Sequence, residues 1–226
     1  VKVIILLLTF CFVRQVSSGT INNTETDTLS KDEKNLELDL IILDRVMVIG
    51  NPENINKIPG SAFYIDKKSL DKQSYNNINR ILQQVPGINL QEEGGYGLRP
   101  NIGMRGTSVE RSSKITVMED GVLTAPAPYS APAAYYFPTP GRMQGIEVRK
   151  GSSQIKFGPY TTGGALNLIS TVIPFGFKGR TYLFFGNNGS KNIHVNVGNS
   201  HPNFGYVIET YLAKVDGFKK LDNGNN

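Results

Sequence analysis

The sequence is poor in the residues that support redox and metal chemistry. Its 226 residues include one cysteine, two histidines and no tryptophan. The cysteine, Cys11, lies in an N-terminal apolar run, and an exported chain without another cysteine uses neither disulfides nor cysteine-ligated metal. His194 and His201 are seven residues apart, which is a poor spacing for a metal site. We therefore expect no metal centre, and no nucleophile and base suggest an enzyme.

The sequence also lacks an apolar run long enough for a membrane-spanning helix. The run at residues 3–13 has 11 residues and follows Lys2, whereas a helix that crosses a bilayer needs roughly 18 or more. Small residues follow at positions 16–18, as they do at the cleavage site of an export signal. We expect residues 1–18 to be a signal peptide. Any later insertion into a membrane would then have to use strands.

The chain that remains after this signal has only a small excess of positive charge, and its charged residues are unevenly distributed. Removal of residues 1–18 takes away Lys2 and Arg14, so the formal charge falls from +5 to +3, which is too small an excess to indicate a nucleic-acid partner. Residues 25–44 hold seven acids and two lysines. Residues 19–40 have no sustained apolar period and are predicted to be a flexible acidic leader.

A short β-prone segment follows the leader at residues 41–52 and ends in Gly-Asn-Pro. A strand without a local partner invites pairing with another chain. The alternative is the first strand of the next domain, and propensity favours the two equally.

Residues 53–175 have a mixed pattern that predicts a small α+β domain. Ser74 is placed to cap a helix whose apolar residues recur at helical spacing up to Val85, and Pro86 and Gly87 end it. The predicted strands are residues 62–65, 102–106, 115–118, 146–149 and 165–169. Long segments rich in Gly, Pro and Tyr separate them at residues 91–101 and 122–141, and loops of that length are usually functional or disordered.

Residues 176–226 alternate between apolar and polar residues, which predicts three antiparallel strands. Ile193, Val195 and Val197 share one face of the second strand. The strands reach roughly 8–11 residues, the length of a tilted strand that crosses a bilayer, although soluble meanders share this pattern. Three strands cannot close a barrel, residues 222–226 are loop-like, and Val stands at position 1. We expect the chain to be part of a longer polypeptide.

Six segments, in order, make the sequence resemble the plug of the TonB-dependent outer-membrane receptors. They are residues 81–88 (Ile-Leu-Gln-Gln-Val-Pro-Gly-Ile), 102–106 (Ile-Gly-Met-Arg-Gly), 117–122 (Val-Met-Glu-Asp-Gly-Val), 146–151 (Ile-Glu-Val-Arg-Lys-Gly), 157–159 (Phe-Gly-Pro) and 163–169 (Gly-Gly-Ala-Leu-Asn-Leu-Ile). The resemblance covers residues 44–173. Within the family, residues 127–129 (Ala-Pro-Tyr) and the spacing from Gly106 to Asp120 are most similar to the ferric dicitrate receptors.

The resemblance implies an exported protein of the Gram-negative outer membrane. Its plug would fill a large barrel, of which this chain holds the first strands, and barrels of that size have plugged lumens. A ferric chelate would bind from outside, and a TonB-type inner-membrane protein would pull from the periplasm. No cofactor is expected, because iron would be part of the cargo. The residues similar to the family's coupling box are Asp44, Arg45, Val46, Met47 and Val48.

The resemblance also predicts site residues in the plug. Arg105 and Arg149 match plug arginines that pair with barrel acids, and solvent-exposed strand arginines are the alternative. The expected ligand-binding residues are Ser108, Arg111, Lys114, Tyr129 and Tyr160, because cations and hydroxyl groups suit an anionic chelate. A plain surface charge is as good a reading of Arg111 and Lys114. Val109 and Tyr160 depart from the ferric dicitrate pattern, which leaves the chelate open.

Two other functions fit the sequence. A related receptor could carry another siderophore, haem or cobalamin, and a secreted β-rich binding or adhesion module belongs to a different class. The sequence that follows residue 226 distinguishes them, because a receptor continues with many more amphipathic strands.

Overall fold

The computed structural model describes the backbone of residues 7–14 and then residues 60–73, 76–93, 96–124, 136–150, 157 and 162–217. The elements in chain order are β1 (Leu7–Arg14), β2 (Ser61–Ile65), α1 (Lys67–Gln73), α2 (Ile78–Leu82), β3 (Ile88–Gln91), β4 (Asn101–Met104), β5 (Ile115–Glu119), β6 (Val122–Leu123), β7 (Gly145–Lys150), β8 (Gly164–Ile169), β9 (Lys178–Phe185), β10 (Lys191–His201) and β11 (Phe204–Lys214). Single 3₁₀ turns lie at Glu110–Ser112 and Pro140–Arg142.

A five-stranded mixed sheet forms the centre of the first domain. Its strand order is β2-β7-β8-β5-β6. β5 and β8 are parallel, and the other neighbours are antiparallel. Every residue of β7 and β8 is buried. β8 is accordingly apolar apart from Asn167, whereas β7 also buries the charged residues Glu147, Arg149 and Lys150. The predicted α+β domain is confirmed.

The core of this domain lies between the sheet, the two short helices and the separate β3-β4 pair. Its largest fully buried side chains are Ile65, Ile78, Ile81, Leu82, Ile102, Met104, Ile115, Met143, Ile146, Leu166 and Leu168. Gly164 lets the strands approach closely, because a Cβ there would meet the Met104 Sδ atom and would lie 2.8 Å from the Arg149 carbonyl oxygen.

An antiparallel meander follows the domain. β9 pairs with β10, and β10 pairs with β11 in an 11-residue register from Lys191–Lys214 to His201–Phe204. β1 pairs with the other edge of β11, from Leu7–Tyr211 to Arg14–Phe204. The segment predicted to be an export signal is thus a strand at the edge of the meander in this structure, and the signal function of residues 1–18 stays a prediction. No helix in the described part of the chain is long and apolar enough to cross a membrane.

Several element boundaries differ from those predicted. The predicted cap Ser74 is wrong, because α2 begins at Ile78 and the Asn77 side chain accepts a hydrogen bond of 2.9 Å from the Asn79 backbone N–H. The sequence predicts a turn at residues 199–203, but β10 continues to His201 and β11 begins at Phe204, so the turn has only two residues. The elements α1, β3 and β6 were not predicted. Residues 41–52, with the proposed coupling strand, lie outside the described residues.

Candidate functional site

The loop from Arg105 to Lys114, which we call the Arg111 loop, joins β4 to β5 in a fixed conformation. The Arg111 backbone N–H donates to Asn101 Oδ1 at 2.9 Å. The Ser112 hydroxyl donates to the Pro100 carbonyl at 2.8 Å and accepts from the Ile102 N–H at 3.1 Å. Arg111 and Ser112 have φ of 49° and 55°. Left-handed backbone at two successive non-glycine residues persists only where surrounding contacts enforce it.

The Arg111 loop presents cations to solvent. Ser108, Arg111 and Lys114 are all exposed, as are Arg105 and Glu110. In the part of the chain that the structure describes, neither Arg111 nor Lys114 lies within ion-pairing distance of a carboxylate. The loop therefore holds three cations and one acid, and two of the cations are available to an anion.

The remaining predicted ligand and coupling residues are not placed. Tyr129 and Tyr160 lie outside the described residues, and so do residues 44–48. Their assignments stay predictions.

Arg105 and Arg149 differ in environment. Arg105 is exposed with φ of 56°, and its N–H donates to the Gly87 carbonyl at 3.0 Å. Arg149 is buried in β7, with its guanidinium 5.6 Å from the centroid of the Phe157 ring. Burial lowers the pKa of Arg149, and the nearby Glu147 carboxylate opposes that shift. The exposed-arginine alternative therefore describes Arg105 but not Arg149.

Lys150 is a buried cation that sequence reasoning missed. It is the last residue of β7, and its ammonium donates to the Pro86 carbonyl. Burial lowers the pKa of Lys150. The pair of adjacent cations at the end of β7 is the signal that could have identified it, because consecutive strand residues face opposite sides of a sheet.

The meander has an inverted pattern of burial. One face is polar and covered, with only 2–5% of Asn192, His194 and Glu209 exposed. The opposite face is apolar and 38–72% exposed at Leu183, Phe185, Ile193, Val195 and Phe204. The faces were predicted correctly from the alternation, but the apolar face is the one that points away from the protein. An exposed apolar face of this kind marks an interaction surface or a lipid contact.

The polar face of the meander packs on the domain through a group of residues that we call the Arg142 cluster: Arg142, Glu119, Glu209, His194 and Thr171. The Arg142 guanidinium lies between the two carboxylates, with a contact to Glu119 and 3.9 Å between Nη1 and Glu209 Oε2. His194 Nε2 lies 2.7 Å from Glu209 Oε1, and the Thr171 hydroxyl donates to the same oxygen at 2.5 Å.

Arg142 is only 3% exposed. Burial works to lower the pKa of this guanidinium, but the Glu119 carboxylate outweighs burial, so the pKa is raised above its ordinary value. The guanidinium is therefore charged. Its Nε has no hydrogen-bond partner among the described residues.

Two further polar contacts join the domain to the meander. The Tyr211 hydroxyl donates to Asn76 Oδ1 at 2.6 Å. Arg180 Nη2 lies 2.6 Å from Asp71 Oδ2, on a more exposed part of the interface, and Lys67 Nζ lies 3.1 Å from the other oxygen of Asp71. The meander is thus fixed to the domain by side chains of its polar face.

Two segments of the domain contact opposite ends of the meander strands. The connection to the meander lies at one end, and the loop that precedes β4 lies at the other. Pro174 packs against Gly198, and the Gly176 N–H donates to Ser200 Oγ at 3.2 Å, near the turn between β10 and β11. Tyr96 instead lies beside Asp216, beyond the end of β11, with 3.5 Å between its hydroxyl and the Asp216 carbonyl. β11 has 11 residues, so these ends are about 35 Å apart.

Several solved structures have a fold similar to that of this chain. The chain is similar to the ferric citrate transporter FecA in its unliganded form, at 23% identity and a TM-score of 0.61, with 72% of this chain and 26% of that chain covered. It is similar to the ferric enterobactin receptor PfeA of Pseudomonas aeruginosa, at 19% identity and a TM-score of 0.56, with 70% and 25% covered. The ferripyoverdine receptor of the outer membrane of Pseudomonas aeruginosa matches at 21% identity and a TM-score of 0.56, with 70% and 21% covered.

These likenesses show the fold, and this chain spans about a quarter of the length of FecA and PfeA. The family model for the TonB-dependent receptor plug domain matches residues 54–165. This range includes four of the five strands of the mixed sheet and ends at the second residue of β8. Three of the six segments that resemble the plug overlap the strands β5, β7 and β8 of this sheet, and the segment at residues 102–106 overlaps β4. The chain therefore belongs to the TonB-dependent receptor family, and its first domain is the plug.

Proposed function

We propose that this chain is the plug and the first barrel strands of an outer-membrane receptor that imports a ferric chelate. The observation that carries the proposal is the meander with an apolar outer face and a polar inner face packed on a plug domain. A strand of a membrane barrel needs this arrangement, because its outer face meets lipid and its inner face meets the plug. β10 and β11 have 11 residues each, which is enough for a tilted strand to span the hydrocarbon.

The Arg111 loop is our candidate for first contact with the chelate. Arg111 and Lys114 are exposed cations on a backbone fixed by Asn101, and hydrogen bonds from charged donors are the stronger ones for a carboxylate-rich anion. A preorganised loop also loses little conformational entropy when it binds. These features favour a citrate-like ferric complex as the ligand. Ser108, Tyr129 and Tyr160 are proposed to contribute hydroxyl groups to the same site. A receptor for another siderophore, haem or cobalamin is the alternative.

Growth on defined iron sources tests this function. The full-length gene product that contains this chain is expressed in cells without other iron uptake, which are then grown on ferric citrate, on other ferric chelates, or on haem. We expect growth on ferric citrate. Growth on none of these sources contradicts iron transport, and growth on a different chelate contradicts only the citrate assignment.

Substitutions in the Arg111 loop test the ligand site. Arg111→Gln and Lys114→Gln each remove one cation, so binding of the chelate to whole cells should weaken. Lys72→Gln is the control, because Lys72 is an exposed cation on α1. Equal binding by all three variants would show that the loop cations are plain surface charges.

We also propose that residues 44–48 add a strand to a TonB-type coupling protein. Backbone pairing of this kind makes small demands on side chains, so Val46→Ala should be tolerated. Val46→Pro removes a backbone donor from the ladder and should abolish uptake while the cells still bind the chelate. Normal uptake by Val46→Pro would move the coupling site elsewhere.

A further inference from the structure

The Arg142 cluster joins parts of the plug that are distant in sequence. Glu119 is the last residue of β5, Arg142 lies just before β7, and Thr171 lies just after β8. β5 and β8 are parallel and β7 is antiparallel to β8. The ends of β5 and β8 and the start of β7 therefore lie on the same side of the sheet, and so do these three residues. One cluster therefore gathers the three central strands against β10 and β11.

Arg142 is the residue on which the cluster depends. It lies between Glu119 and Glu209, so its removal would leave both carboxylates without this cation, with the Glu119 side chain 22% exposed and the Glu209 side chain 7% exposed. Breaking a buried ion pair from one side is strongly unfavourable, because the remaining charge is left without compensation. The Asp71–Arg180 pair differs, since its side chains are 33% and 38% exposed and such pairs contribute little.

The edge strand of the sheet lies outside this cluster. Among the described strands, β2 pairs with β7. Lys67, which follows β2 in sequence, donates from its ammonium to the Met143 carbonyl at 3.1 Å. The N-terminal segment that would receive the pull enters the plug through β2. A force applied there thus meets β2 before it meets the cluster.

We propose that Arg142 is a positioning residue that clamps the central strands β5, β7 and β8 to the barrel wall through Glu209, so that these strands stay seated in the lumen while the N-terminal segment is pulled. The proposal rests on the proposed transport function. His194 and Thr171 contribute by orienting the Glu209 carboxylate toward the plug.

The test measures two properties of the full-length receptor in cells: uptake of the iron complex, and entry of vancomycin, which an intact outer membrane excludes. Arg142→Gln and Glu209→Gln should each lower uptake and raise vancomycin sensitivity severalfold at equal amounts of receptor in the membrane. Arg142→Lys keeps a cation between Glu119 and Glu209 and should retain part of both properties. Asp71→Asn is the matched control at the exposed pair and should leave both unchanged.

Each outcome bears on the clamp. Unchanged vancomycin entry in both single variants, or an Arg142→Lys variant no better than Arg142→Gln, would overturn it. If the single variants fail to reach the membrane, Thr171→Val removes only one hydrogen bond to Glu209 and should still raise vancomycin entry, and no rise would equally overturn the clamp. A wild-type receptor that takes up no iron complex would refute the transport function, whereas the vancomycin measurement would still test the clamp.

Discussion

Val195→Arg tests whether the apolar face of the meander meets lipid. Val195 is four residues from Lys191 on the same face of β10, which is about 14 Å along the strand. At a tilt of about 40° this is about 10 Å of depth, close to the middle of an apolar band about 25 Å tall, where arginine costs about 2–4 kcal/mol.

The same strand supplies the controls. Ile193→Arg lies nearer the rim and should cost less, and Lys191→Arg should change the free energy of unfolding by less than about 0.5 kcal/mol. Urea unfolding of the full-length receptor in lipid vesicles measures all three. If Val195→Arg costs as little as Lys191→Arg, the outer face meets water and the barrel interpretation is wrong.

Three further predictions concern the plug. Leu166→Ala removes a fully buried side chain of the core, so the free energy of unfolding should fall by about 2–5 kcal/mol in denaturant titrations; a loss below about 1 kcal/mol would contradict the packing of β8. Asn77→Ala removes the cap of α2 and should cost about 1 kcal/mol in the same assay, whereas an unchanged midpoint would contradict the cap. For Asp71, burial works to raise the pKa, but hydrogen bonds from Arg180 and Lys67 outweigh it and lower the pKa. The contact therefore contributes stability above the unfolded pKa and loses it as pH falls through the lower folded pKa, below about pH 4; Asp71→Asn should remove this part of the acid transition, and identical acid curves would contradict it.

The central strands could be predicted because local pattern and tertiary environment agree. β8 is buried on both faces and is apolar apart from Asn167. In β7, Ile146 and Val148 alternate with Glu147 and Arg149, and this period of two predicts a strand. α1 could not be predicted in this way. Its seven residues bury only Leu70, and it is fixed by tertiary contacts such as Lys67 to the Met143 carbonyl. A local pattern cannot report a helix that depends on partners 76 residues away.

The orientation of the meander was beyond the sequence for a different reason. Alternation separates two faces but does not say which one packs on the protein. The structure resolves this by placing His194 and Glu209 inside. Arg142 was missed because it follows a Pro-Gly turn in a loop-like segment, and its partner Glu209 is distant in sequence. The sites at residues 44–48, Tyr129 and Tyr160 still rest on the family resemblance.

Spin labels along β10 test the central claim most directly, because they report whether each face of the strand meets lipid or water. Cys11, the one cysteine among these 226 residues, lies in the predicted export signal, and any cysteine elsewhere in the full-length receptor is first replaced by serine. Single cysteines are placed at Val195 and at Asn196 of the full-length receptor in lipid bilayers, and each label is exposed to oxygen, which concentrates in lipid, and to a water-soluble nickel chelate. The account predicts that the label at Val195 responds to oxygen far more than to nickel, and that the label at Asn196 is shielded from oxygen by the plug. A label at Val195 that responds mainly to nickel would contradict a plug surrounded by membrane-spanning strands.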